Sequence, residues 1–113
     1  ISGCNLNEIP DNVFKLTTLE EFNCSNNNLT SLPNTIGDLI LLRYFNCSNN
    51  KLTSLPDEIG NLQLLREFRC DYNNLISLPN DIDNLQLNKL IERGIFVVGK
   101  LTNRYHEAHV KEG

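Results

Sequence analysis

Polar and apolar residues alternate through Glu21-Phe22-Asn23-Cys24-Ser25, the period of a short strand with one buried face. Asn27-Asn28-Leu29 then predicts a turn, and Pro33 fixes φ and stops any strand from continuing. Ile36, Leu39 and Leu42 follow at roughly helical spacing, which predicts a short helix or 3₁₀ turn. The same order of signals returns 23 residues later, and then 23 residues later again.

Three blocks therefore stand in register: Leu19–Leu41, Leu42–Leu64 and Leu65–Leu87. Residues 1–18 read as the tail of an earlier unit, with Ile1 on the Cys24 position, Leu6 on Leu29, Ile9 on Leu32, Pro10 on Pro33, Val13 on Ile36 and Leu16 on Leu39. One such unit cannot bury its own apolar face, so neighbours must stack. Parallel strands about 4.8 Å apart then make a continuous concave sheet, and the bulkier outer segments impose curvature. The predicted fold is an α/β solenoid, an arc with short parallel strands on the concave face and short helical or 3₁₀ turns on the convex face. After Leu87 the register fails, because Asn88 and Arg93 stand where apolar residues are needed. Residues 88–101 are expected to cap the array: Leu85, Leu87, Leu90 and Ile91 suit a short helix ending at Gly94, and Ile95-Phe96-Val97-Val98 suits a strand closing the last sheet edge. Residues 102–113 read as a polar, solvated tail.

The unit reads Leu-x-x-Phe-x-Cys-x-x-Asn-x-Leu-x-x-Leu-Pro-x-x-Ile-Gly-x-Leu-x-x, and it resembles the leucine-rich repeat family over residues 1–87. Its Leu-Pro-x-x-Ile-Gly-x-Leu half is most similar to the 23-residue Ras-suppressor-like class, which is typically intracellular; its Cys-Ser-Asn-Asn-x-Leu-Thr-Ser-Leu half also resembles Cys-bearing repeats of some bacterial surface proteins. Phe22, Phe45 and Phe68 depart from a consensus Leu, and Asp83 replaces the glycine seen at Gly37 and Gly60. The resemblance implies a leucine-rich repeat arc that binds a protein or peptide across its concave face.

Stacking turns each repeat position into a column. Phe22, Phe45 and Phe68 should form a buried aromatic spine. Asn27, Asn50 and Asn73 should form a ladder, since an amide satisfies both the donors and the acceptors left over at each turn; Cys4 holds this place in the first unit. The outward neighbour Asn49 is expected to tolerate alanine. Cys24, Cys47 and Cys70 form one inward column, read as buried free thiols behaving as small hydrophobes. Parallel Cβ vectors disfavour a disulfide between them, and no Cys-x-x-Cys spacing offers a metal site. Asn23-Cys24-Ser25, Asn28-Leu29-Thr30 and Asn46-Cys47-Ser48 match the glycosylation sequon, but glycans on Asn23 and Asn46 would block the inner sheet.

The 19 Leu and 18 Asn in 113 residues are themselves a repeat signature. Residues 1–87 carry 11 acidic and 5 basic side chains, residues 88–113 carry 3 and 5, and neither forms the basic stripe of a nucleic-acid binder. No apolar run approaches a membrane span. His106 and His109 lie outside the array and lack a His-Glu-x-x-His pattern, so neither catalytic, cofactor nor metal residues are assigned, and the chain is not expected to be an enzyme. The candidate partner-binding surface is formed by what the strands point away from the core: Glu21, Tyr44 and Glu67; Asn23, Asn46 and Arg69; Ser25, Ser48 and Asp71; and Tyr72 at the edge, level with Asn26 and Asn49. The expected role is a protein–protein interaction module with a protein or peptide partner. The alternative is a structural spacer segment of a larger multidomain protein. The unpaired cysteines favour the cytoplasm, with the cell surface or secretion as the alternative. The chain has no Met and opens inside a unit, which predicts a fragment or processed form with an uncapped N-terminal end open to self-association.

Overall fold

The computed structural model describes residues 1–75, 96–101 and 104–108. A five-stranded sheet runs in the order of the chain: β1 (Glu21–Asn23), β2 (Tyr44–Asn46), β3 (Glu67–Arg69), β4 (Phe96–Leu101) and β5 (Arg104–Ala108). The first three strands are parallel and in 23-residue register, Phe22 opposite Phe45 and Phe45 opposite Phe68. Each of these strands is only three residues long, and its middle Phe points inward. Five-residue 3₁₀ helices, Asp11–Lys15, Asn34–Asp38 and Asp57–Asn61, form the opposite side. Each begins directly after a proline, Pro10, Pro33 or Pro56. The fixed φ of proline ends the extended segment and starts the turn without the N–H that a helix start leaves unpaired. The expected arc of short parallel strands and 3₁₀ turns is thus the fold.

The phenylalanine spine forms as a stack. Phe22 and Phe45 lie 5.7 Å apart at 6° between ring planes, and Phe45 and Phe68 lie 5.4 Å apart at 19°. Phe14, which the column reading did not single out, meets Phe22 edge-on at 6.4 Å and is buried. It occupies the position that is Gly37 one unit later. At Gly37 an added Cβ would lie 2.8 Å from the Glu58 Cβ and 3.0 Å from the Glu58 carbonyl, so that contact between successive 3₁₀ helices requires glycine. The apolar columns open at the first unit: Leu16 is 53% exposed where Leu39 and Leu62 are fully buried.

The asparagine ladder closes the turns between units. Asn50 Nδ2 donates to the carbonyls of Cys24 (3.1 Å), Cys47 (3.0 Å) and Ser48 (3.1 Å), and its Oδ1 accepts from the Leu29 N–H (3.0 Å). Asn73 repeats the pattern one unit on, toward Cys47, Cys70, Asp71 and the Leu52 N–H. Asn27 does so toward Ile1, Cys24 and Ser25, and accepts from both the Cys4 and Leu6 N–H groups. Each amide therefore ties a turn both to itself and to the preceding unit.

At the other end the sheet continues although the repeat does not. β4 pairs parallel with β3, Phe68 opposite Val97, a step of 29 residues rather than 23. The expected solvated tail is corrected in part: Arg104–Ala108 is strand β5, paired antiparallel with β4 from Val97↔Ala108 to Leu101↔Arg104. A bare β4 edge would present unpaired backbone groups, and a returning strand covers them. The helix expected around Leu85–Ile91, the Asp83 departure and His109 lie outside the described residues.

Candidate interaction face

The pleat sends both neighbours of each buried Phe to the concave side. Glu21, Asn23, Tyr44, Asn46, Glu67 and Arg69 line an open groove of about 440 Å³, with Phe22 and Phe45 between them. Register sets Glu21, Tyr44 and Glu67 side by side on three adjacent strands, and Asn23, Asn46 and Arg69 beside them. Tyr44 is 42% exposed, and Arg69 Nη1 donates to Glu67 Oε2 at 3.2 Å. These six candidate residues meet in one place.

The third column does not belong to that surface. Ser25, Ser48 and Asp71 are buried. Alternation points them outward only while the chain stays extended, and the strands end two residues earlier. Ser25 then folds back on Asn23: its hydroxyl donates to Asn23 Oδ1 at 2.6 Å and its N–H donates to the same oxygen at 2.9 Å. Ser48 does the same to Asn46, at 2.7 and 3.0 Å. In the third unit Asn becomes Arg69 and Ser becomes Asp71, and the closure is not repeated: Arg69 turns to Glu67, and buried Asp71 Oδ1 has no hydrogen-bond partner among the described residues.

The edge column carries a conformation that no side-chain pattern shows. Asn26, Asn49 and Tyr72 have φ of 58°, 54° and 58°, as has Asn5 at 58°. Asparagine tolerates this left-handed region, whereas a bulky side chain is strained in it. Tyr72 is nevertheless there, 71% exposed. Tyr72→Asn is expected to stabilise the fold by about 0.5–1 kcal/mol, while Asn49→Ala is expected to cost about 1 kcal/mol, correcting the expectation of neutrality from exposure alone. Chemical denaturation of the two variants checks both signs.

Behind the strands, Cys24, Cys47 and Cys70 are free and fully buried, and Cys4 is free and exposed. Burial pushes the Cys24 thiol up to about 12 and raises those of Cys47 and Cys70, with the Asp71 carboxylate adding to both. Neutral thiols are poor nucleophiles, so the column is packing rather than chemistry. A thiol reagent at pH 8 is expected to modify Cys4 alone in the native protein and all four cysteines after denaturation. Because the folded values lie above the unfolded ones, the stability linked to these thiols is complete below about pH 9 and is lost as pH rises from there. A melting temperature that does not fall between pH 9 and 11 would contradict this.

Among the described residues no group of three or more His, Cys, Asp or Glu is placed to hold a metal ion, and no helix is long and apolar enough to cross a membrane.

The family pattern described as Leucine Rich repeats (2 copies) matches residues 17–57. No curated protein sequence matches the chain. Among solved structures, a leucine-rich repeat protein of Leptospira interrogans is similar at 25% sequence identity and a TM-score of 0.61. The similarity covers 89% of this chain and 31% of that one, so the chain spans about a third of its length.

Proposed function

Since the chain is a leucine-rich repeat protein, we propose that it binds a protein or peptide partner in its concave groove, with Tyr44 and Arg69 as the main contacts and Tyr72 at the rim. Leucine-rich repeats are in general protein-interaction modules, and the observation that carries the assignment to this face is the groove itself. It joins exposed aromatic area to both signs of charge, on strands that the phenylalanine stack and the asparagine ladder hold rigid. Tyr and Arg on a preorganised surface are the side chains that concentrate binding energy. The free thiols support a reducing compartment, the cytoplasm, as its place of work.

The test begins with peptides selected on the full chain from a random displayed library. Replacing Tyr44 and Arg69 together by Ala is expected to weaken the selected binders by about 2 kcal/mol without lowering the melting temperature. Replacing Asp57 and Glu58 on the outer 3₁₀ helix should leave binding unchanged. A larger loss from the outer pair would move the site to the convex side, and failure to select any binder would favour a spacer role.

A further inference from the structure

The geometry points to a basic side chain as the occupant of the groove: a lysine or arginine of the partner protein settles over Tyr44 between Glu21 and Glu67, and its arrival transfers Arg69 from Glu67 to Asp71. The inference rests on the concave-face reading, adds to it the partner's charge, and makes Arg69 a moving part rather than a lasting contact.

Three observations carry it. The first is the register, which makes Tyr44 the Cα partner of both Glu21 and Glu67. With strands about 4.8 Å apart, the two carboxylates flank an exposed ring, and a cation there gains from the ring face and from both acids. The second is how weakly the column is occupied by the chain's own cations. Glu21 makes no ion pair among the described residues, and Glu67 holds Arg69 by one 3.2 Å contact between side chains that are 35% and 44% exposed. An exposed pair of this kind is readily exchanged for another.

The third is Asp71. In the two preceding units, the side chain at this position closes on the side chain two residues before it, at 2.6 and 2.7 Å. In the third unit the same two positions carry opposite charges. Arg69 thus has a carboxylate two residues away on either side along the chain, Glu67 and Asp71, and it bonds the more exposed of them. The buried one keeps an oxygen with no donor among the described residues, an arrangement that folded proteins rarely leave unanswered. A partner cation on Glu67 releases Arg69 to answer it. Since the free protein keeps Arg69 on Glu67, the transfer costs free energy, and Asp71 reduces that cost by offering the displaced guanidinium a second carboxylate.

The experiment titrates the full chain with hexalysine and, separately, with hexaglutamate at fixed ionic strength, following the Arg69 Nε–H resonance by NMR. Hexalysine is expected to bind and to shift that resonance. Glu21→Gln with Glu67→Gln should weaken it by about tenfold, whereas Asp57→Asn with Glu58→Gln, which removes the same charge elsewhere, should change it less than about twofold. Asp71→Asn, which keeps the volume of the side chain, should weaken binding by about fivefold when Arg69 is present and have no effect in an Arg69→Ala background. Melting temperatures of all variants confirm that they fold. Arg69→Ala removes the competitor and should bind hexalysine at least as tightly; an Asp71→Asn variant that binds as well as the unaltered chain with Arg69 present would overturn the transfer. Equal losses from the groove and outer pairs would reduce the attraction to net charge and overturn the site. Preference for hexaglutamate, lost with Tyr44→Ala, would overturn the basic occupant while leaving the concave face as the binding surface.

Discussion

Phe45→Ala is expected to lower the unfolding free energy by about 4 kcal/mol. Phe45 is 1% exposed and stacks against a ring on each side, 5.7 Å from Phe22 and 5.4 Å from Phe68. Its removal leaves a gap that neither flanking ring can fill, because both are held by their own strands in parallel register. To the lost burial and the cavity it adds two aromatic contacts, each contributing about 0.5–1.5 kcal/mol. In a solenoid each unit is stabilised by its neighbours, so loss at the middle weakens two interfaces at once. Phe45→Leu should cost only about 1–2 kcal/mol, since it keeps most of the volume. Urea denaturation of both variants measures the difference. A Phe45→Ala cost near that of Phe45→Leu would mean that the stack does not couple the units.

Asn50→Ala comes next, with an expected cost of about 3 kcal/mol. The truncation removes three donations, to Cys24, Cys47 and Ser48, and leaves the buried Leu29 N–H without its acceptor. Water does not reach the site to replace them, because Asn50 is itself buried. Asn50→Asp discriminates the mechanism: it keeps the acceptor for Leu29 but turns a carboxylate toward three carbonyl oxygens. At neutral pH it should destabilise at least as much as alanine. A well-tolerated aspartate would show that the donations to the carbonyls matter little and that the ladder works through Leu29 alone.

Much of this was legible in the sequence. Every unit repeats the same demands, and a column of Phe, Cys or Asn has one role that suits it in each neighbour. Phe22, Phe45 and Phe68 could only stack inward, and prolines followed by apolar residues at helical spacing could only turn. The six groove residues were legible for the same reason, since strand alternation fixes which side of the sheet each faces. Where alternation was carried too far, it failed. Ser25, Ser48 and Asp71 continue the outward parity, but the strands stop at Asn23, Asn46 and Arg69, and a side chain beyond the strand end goes where the turn sends it.

What the sequence determined by itself was periodicity: the 23-residue unit, the faces of its strands and the amide chemistry of its turns. These follow from local alternation and from the need of each unit to bury one face against the next. The tertiary structure alone decided the rest. It set the left-handed φ of Tyr72, which a backbone path fixes and residue type does not. It brought Phe14 edge-on to Phe22, a contact between positions that never align in the repeat. It extended the sheet by a 29-residue step to β4 and by the reversal into β5, pairings that depend on which edge remains open in space. And it gave Arg69 to Glu67 and left a buried Asp71 oxygen without a partner among the described residues, because which acceptor an arginine meets is a matter of distance rather than of order along the chain.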